Sequence, residues 1–336
     1  MDFPTHQERA RSATGRMVVL FALAVALVAI AVYGLSLLLI AAWKEGFAGV
    51  GWWNPGLFMA VVAGVGLTVG GPTVLELRRL RRGAAALARR LGGREVTARG
   101  DGSPEARLVN VVEEAAIAAG LPIPRAFVLE DEPAVNAFAV GLGPDDAVVG
   151  VTRGALDSLD RAELGAVVAH ELAHVTNGDS AIDLRLLGAT SGLESMTAAG
   201  RWLLDVSTGT ALLTWVAGGG LLLIGKLGSG AAALLRASVS REREFLADAH
   251  AVELTRDAAA LASALRKVRA DPRGGRLRTH RSAMVSHLFL HRTVGRRWGR
   301  LATHPALRER IRRLEGGRKE RNERKERKER ALPRSG

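Results

Sequence analysis

DRAELGAVVAHELAHVTNGD, residues 160–179, is the stretch on which the fold turns. Asp160 and Glu163 stand as N-cap and N3 of a capping-box-like start, although Ser or Thr is the commoner cap. A helix is predicted from Arg161 to about Asn177, with Gly178 placed to end it. Inside it lies His170-Glu171-Leu172-Ala173-His174. Four residues are close to one helical turn, so both imidazoles project from one face and can hold a single zinc, with Glu171 beside them within reach of a water on the metal. The flanks Val167, Val168, Ala169, Leu172 and Val175 make this a buried helix, where unpaired imidazoles would be costly. The chain contains no cysteine, which excludes disulfides, a thiolate nucleophile and any sulfur-built zinc site.

Two histidines leave a tetrahedral catalytic zinc one protein ligand short. Ser240-Arg241-Glu242-Arg243-Glu244-Phe245-Leu246-Ala247-Asp248 supplies carboxylate candidates on a second predicted helix, about Ser240 to Leu254. Glu244 and Asp248 share one face. Glu244 could bind the metal while Asp248 accepts a hydrogen bond from the free N–H of a ligand histidine and fixes its tautomer.

Around these helices the pattern is that of a small α+β domain. Leu108 to Ala119 has helical apolar spacing and stops at Gly120. Ala126 to Leu129, Val135 to Val140 and Ala147 to Val151 read as three strands, the last two joined around Gly141 to Asp146. A further helix is predicted over Asp257 to Val268.

The rest of the 336-residue chain is segregated in composition, 48% hydrophobic and 24% charged, which rules out both an ordinary soluble globule and a disordered chain. Residues 17–43 carry no charge and as a helix would span about 40 Å, enough to cross a bilayer; the run is too long for a signal peptide. Residues 46–75 are again uncharged, with Trp52 and Trp53 at an interfacial turn, and a second crossing is predicted at about 57–75. Arg9, Arg11 and Arg16 precede this hairpin and Arg78, Arg79, Arg81, Arg82, Arg89 and Arg90 follow it, so both flanks are expected on the cytoplasmic side. That placement reads the net charge of +13 as topology and anionic lipid contact, with no nucleic acid expected. Residues 206–235 hold one charge, Lys226, and what reads as a break at Gly218-Gly219-Gly220. The 186–237 segment must cross the membrane twice or re-enter, since both its flanks carry site residues. The resulting organisation is a cytoplasmic segment (1–16), a membrane hairpin (17–77), a catalytic domain (78–185 and 238–315) interrupted by the apolar insertion (186–237), and a disordered Lys-Glu-Arg tail (316–336).

Two N-terminal apolar helices, His170-Glu171-x-x-His174 with Asn177-Gly178-Asp179, an apolar interruption and Ser240-Arg241-x-x-Glu244-x-x-x-Asp248 together resemble the HtpX family of membrane zinc metalloproteases. The resemblance implies a mostly helical, zincin-like α+β domain with a small sheet joined to transmembrane helices, and one Zn2+ held by His170, His174 and Glu244 rather than Glu242. It implies that Asn136, in Val135-Asn136-Ala137-Phe138, lines the substrate groove, and that His304, in Thr303-His304-Pro305 ahead of the Arg308 to Leu314 helix, helps bind the substrate carbonyl. The family pattern often has a second proline where this chain has Ala306. His287 and His291 lack an intervening Glu and read as packing residues, and His250 as a surface residue.

Peptide hydrolysis then follows, with Glu171 as general base and His304 and Asn136 as candidate donors to the oxyanion. The substrates expected are proteins or peptides, above all damaged membrane proteins under stress, met as extended strands at the bilayer. The competing readings are a prenyl-protein (CAAX-type) endopeptidase and a catalytically silent zinc-binding scaffold or regulator. The two clear N-terminal helices argue against the first, and the joint presence of His170, Glu171, His174 and Glu244 against the second.

Overall fold

A computed structural model of the chain describes residues 3–43, 51–80, 82–97, 102–206, 212–273 and 306–316. His287, His291, His304 and the tail beyond residue 316 lie outside the described residues. The chain divides into two compact units, one of Met1–Arg82 with Leu184–Arg236 and one of Gly83–Asp183 with Ala237–Gly336.

The described residues of the first unit are helical apart from the turn at 51–54 and residue 82. Helix α1 runs Phe3–Trp43 without a boundary near residue 16. The second apolar helix is built from α2 (Pro55–Val65), a π-helical turn (Gly66–Gly70) and α3 (Gly71–Leu80). Asn54 caps α2 by accepting the Leu57 N–H, and its own N–H is held by the Tyr33 hydroxyl, which sits in an aromatic cluster with Trp53 and Phe58. Pro72 has no N–H to give, and a proline is tolerated in an apolar helix when a neighbour re-satisfies the freed carbonyls. The Ser195 hydroxyl does so at the Thr68 carbonyl.

Ser195 belongs to α8 (Asp179–Val206), whose partner is α9 (Leu212–Thr255). The break expected at Gly218-Gly219-Gly220 is absent, because α9 passes through these glycines as helix. The reason is close packing. A Cβ on Gly200 would lie 2.5 Å from the Leu222 nitrogen, and one on Gly218 would lie 2.9 Å from Leu204. Small residues that admit a neighbouring helix are the usual device where lipid removes the hydrophobic drive between helices. Two helical stretches, Ala22–Ala41 and Pro55–Leu80, are long and apolar enough to span a bilayer. The outward face of this unit carries Leu23, Leu27, Ile30, Trp202, Trp215 and Leu227, all more than half exposed.

The second unit is mostly helical with a small mixed sheet. After α4 (Ala84–Arg90) come β1 (Gly93–Val96), α5 (Pro104–Ala119), β2 (Arg125–Leu129), β3 (Ala137–Val140), β4 (Val148–Thr152), α6 (Arg153–Ser158), α7 (Arg161–Thr176), α10 (Ala258–Ala270) and α11, residues 307–316. The strand order is β1-β2-β4-β3, with β2 and β4 parallel and both outer pairs antiparallel. Among the described residues four strands replace the three predicted. The strand expected from Val135 enters the ladder only at Ala137, because the Asn136 N–H is bound by the Thr152 hydroxyl at 3.0 Å instead of a strand carbonyl.

One sheet face, carrying Ala126, Val128, Ala137, Ala139, Val149 and Val151, is buried in one core with α5, α7 and α10. On the other face Phe138 lies flat over Gly150, where any Cβ would meet the ring at 2.2 Å. α7 is buried along most of its length and starts at a complete capping box: Asp160 accepts the Glu163 N–H and Glu163 accepts the Asp160 N–H, both at 2.9 Å. It ends at Gly178, whose φ of +76° turns the chain sharply into α8.

Candidate active site

The His170 and His174 rings lie edge to face one helical turn apart on α7, with centroids 4.9 Å apart. The Glu244 carboxylate of α9 reaches both, at 3.7 Å from His170 Nε2 and 3.6 Å from His174 Nε2. One ligand atom from each of the three residues falls within 4.8 Å of the others. Two ligands 2.0–2.1 Å from a tetrahedral ion should be about 3.4 Å apart, so this donor set fits a zinc with small adjustments. Glu171 is buried beside it. Its Oε2 accepts the Ala139 N–H at 3.1 Å, whereas Oε1 has no hydrogen-bond partner among the described residues. A buried carboxylate oxygen left unmatched in this way is costly unless something else engages it, which also suits a metal site with water.

Each imidazole is held from behind by a carboxylate. Asp248, one turn beyond Glu244, lies 3.1 Å from His170 Nδ1. His174 Nδ1 lies 3.0 Å from Asp179 Oδ2, and Arg243 lies 3.3 Å from the other oxygen of Asp179. The turn at Gly178 brings Asp179 back under His174. Sequence reasoning noted Asp179 only as part of a motif, although its place directly after the helix stop was the signal.

The residue that sequence reasoning missed is Arg310 on α11. It is completely buried and forks onto Asp248, with Nε at 2.8 Å and Nη2 at 2.6 Å, while Nη1 lies 3.0 Å from Glu244. Its Nη2 is nearly equidistant from both His170 nitrogens, 3.2 and 3.3 Å, so the guanidinium crosses the ring face and does not take one lone pair.

These neighbours set the charges. Burial pulls His170 below the usual imidazole range, reinforced by Arg310. Burial also opposes the charged form of His174, but the Asp179 hydrogen bond and the surrounding carboxylates outweigh it and raise the pKa to about 9. Desolvation pushes Glu171 up to about 8. Asp248 is desolvated too, yet Arg310 holds it below the normal carboxylate range.

Among the other residues singled out from sequence, Asn136 is buried at the entry to β3, and its Oδ1 accepts the Ala137 N–H at 3.0 Å. His250 is half-buried on α9. Glu242 lies in the same helix.

The M48 peptidase family model matches residues 103–318, which contain all of these groups. A protease HtpX homolog from Tropheryma whipplei (strain Twist) is 38% identical over 215 residues, covering 62% of this chain and 72% of the relative. One from Thermoanaerobacter pseudethanolicus is 37% identical over 223 residues (62% and 71%), and one from Leuconostoc citreum 34% over 235 residues (66% and 76%). The chain therefore belongs to peptidase family M48 and to the HtpX family of proteases, and it is a metallopeptidase.

Proposed function

We propose that this metallopeptidase is a membrane-bound zinc endopeptidase that removes misfolded or damaged membrane proteins from the cytoplasmic face of the cell membrane. The observation that carries the reading is the convergence of His170, His174 and Glu244 beside Glu171 Oε1, which no described group hydrogen-bonds.

When bound there, zinc supplies Lewis-acid polarisation of the scissile carbonyl and acidifies water. The protein's part is positional and protonic. Asp248 and Asp179 fix the two imidazoles with their Nε2 atoms turned toward Glu244. Glu171 Oε1 takes a proton from the attacking water as its oxygen bonds to the carbonyl carbon, and returns it to the amide nitrogen as the C–N bond breaks. The substrate lies as an extended strand along the outer edge of β3, where main-chain pairing gives affinity with little sequence selectivity. Asn136 lines this groove. His304 is assigned to the substrate carbonyl on the resemblance alone.

Membrane anchoring rests on the two apolar helices and on the exposed apolar face of the first unit. The insertion belongs with them, because its helices expose Trp202, Trp215 and Leu227 and pack through glycines. Arg78 and Arg79 in the last turn of α3 set the orientation. Reporter fusions after residues 100 and 330 should both read cytoplasmic, and an external signal from the first would overturn the topology.

The deciding experiment is metal analysis with casein digestion on wild type and Glu171→Gln. Both proteins should carry one zinc. The variant should lose about 10² to 10⁴ in rate, the usual contribution of general acid–base catalysis. Equal proteolysis at equal zinc content would refute the mechanism and favour the scaffold reading.

A further inference from the structure

Among the described residues β3 is the last strand of the sheet, and no described strand pairs with its outer edge. Asn136 and the even-numbered residues after it turn their main chain toward β4: the Asn136 carbonyl accepts the Thr152 N–H at 3.0 Å. By the two-residue period of a strand, Val135, Ala137 and Ala139 turn theirs outward. All three outward N–H groups are nevertheless taken, each by a side-chain oxygen of the protein. Val135 donates to Asp271 Oδ2 at 2.9 Å, Ala137 to Asn136 Oδ1 at 3.0 Å and Ala139 to Glu171 Oε2 at 3.1 Å. The Ala139 carbonyl accepts the Ser180 hydroxyl. The free edge is closed by the protein itself, which guards it against indiscriminate pairing.

Two of these caps belong to the candidate active site. The third does not. Asp271 is the residue after α10, and α10 contributes nothing to the cluster around His170 and His174. Its carboxylate is aimed by its own turn, since Oδ1 accepts the Arg273 N–H at 3.0 Å, and its side chain is only 4% exposed. Val135 lies four residues from Ala139, about 13 Å along the strand. The Thr152 hydroxyl holds the intervening main chain by bonding Asn136 N–H and the Ala134 and Asn136 carbonyls, so the strand has support independent of Asp271.

We propose that Asp271 is a displaceable cap on the far end of the substrate-binding edge, and thereby a specificity-determining residue that sets how far an extended polypeptide can pair with β3. This rests on the strand-addition mode proposed above. A short peptide that reaches only Ala137 and Ala139 must exchange the Asn136 and Glu171 caps there but never meets Asp271. A longer one must exchange the charged Asp271 acceptor for its own neutral carbonyl at Val135, which gains little because the outgoing bond is the stronger kind.

The test uses the zinc-loaded full-length protein and two peptide series sharing one scissile bond, lengthened a residue at a time on either side. In one series the ratio of kcat/KM for the longest over the shortest peptide should rise roughly tenfold in Asp271→Ala relative to wild type, through KM and not kcat. Asp271→Asn, which keeps one oxygen for its two N–H partners, should give an intermediate ratio and serves where the Ala variant folds poorly. A ratio unchanged or lowered in both variants overturns the proposal. Replacing each peptide N–H of the longest substrate by N–CH3 separates the two failures. If no position raises KM, peptides do not pair with β3 and the binding mode itself is wrong. If some do while the length ratios are identical, only the role of Asp271 falls.

Discussion

Arg310→Met is the most informative perturbation of stability. The guanidinium is fully buried and its partners Asp248 and Glu244 are nearly so, with side chains 6% and 3% exposed. Truncation leaves the Asp248 carboxylate without the two hydrogen bonds that hold its charge, and leaves Glu244 facing an apolar group. Removing one partner of a buried ion pair typically destabilises by about 3–5 kcal/mol, because the other charge stays desolvated. For a unit of this size each kcal/mol lowers the midpoint by about 2–4 °C, so a fall of roughly 6–20 °C is expected in thermal melts followed by circular dichroism in chelator. Added zinc should recover part of the loss, since a divalent cation among His170, His174 and Glu244 supplies positive charge to the same carboxylates. Asp248→Asn and the double variant complete a cycle, with a coupling of about 1–3 kcal/mol expected for groups in direct contact. A single variant melting within about 2 °C of wild type, or an additive cycle, would refute the claim that Arg310 is held there by charge.

Glu244→Ala should lose most bound zinc by metal analysis, as should His174→Ala; if Glu244→Ala keeps both zinc and activity, Glu242 becomes the ligand to test. Asp179→Ala should weaken zinc binding by about 10- to 100-fold in competition with a chelating dye, the usual effect of removing a carboxylate behind a ligand histidine, and an unchanged affinity would show that Asp179 serves only the entry into α8.

What was legible in the sequence was what local chemistry decides. The capping box at Asp160 and Glu163, the stop at Gly178 and the one-turn spacing of His170 and His174 each rest on residues within a few positions of one another, and the described helix follows them. The same holds for Glu244 and Asp248, which share a face by helical period alone. What failed was decided by partners far along the chain. β1 escaped notice because it is four residues long and fully buries only Val96, too little alternation to read. The glycines at 218–220 lower helix propensity in isolation, but Gly218 is required where Gly200 and Leu204 press against it and Gly220 where Leu35 does. Arg310 sits among Arg308, Arg312 and Arg313 and looks like any of them; only the approach of Asp248 singles it out. Asp271 looks like an ordinary acidic residue after a helix until Val135 is found against it.

The charges around the site explain why these particular groups stand together. Among the described groups, the four carboxylates Glu171, Glu244, Asp248 and Asp179 stand against the guanidinium groups of Arg310 and Arg243, an excess of two negative charges in a buried volume. An interior does not hold such an excess, and it is relieved by protons or by a cation. The shifts of Glu171 to about 8 and His174 to about 9 are the proton solution: near neutral pH both groups keep a proton. A divalent cation is the other solution, and it also frees Glu171 to act as a base. The two exclude one another, because a ligand imidazole must be deprotonated and a nearby dication favours ionised Glu171. Zinc binding at pH 7 should therefore release about two protons from these groups, and affinity should weaken as pH falls below about 9. Calorimetric titration with zinc in two buffers of different ionisation enthalpy measures the number directly. Release of less than about half a proton would mean that the site is already ionised at neutral pH, and that the excess negative charge inferred from these four carboxylates is offset by something other than protons on Glu171 and His174.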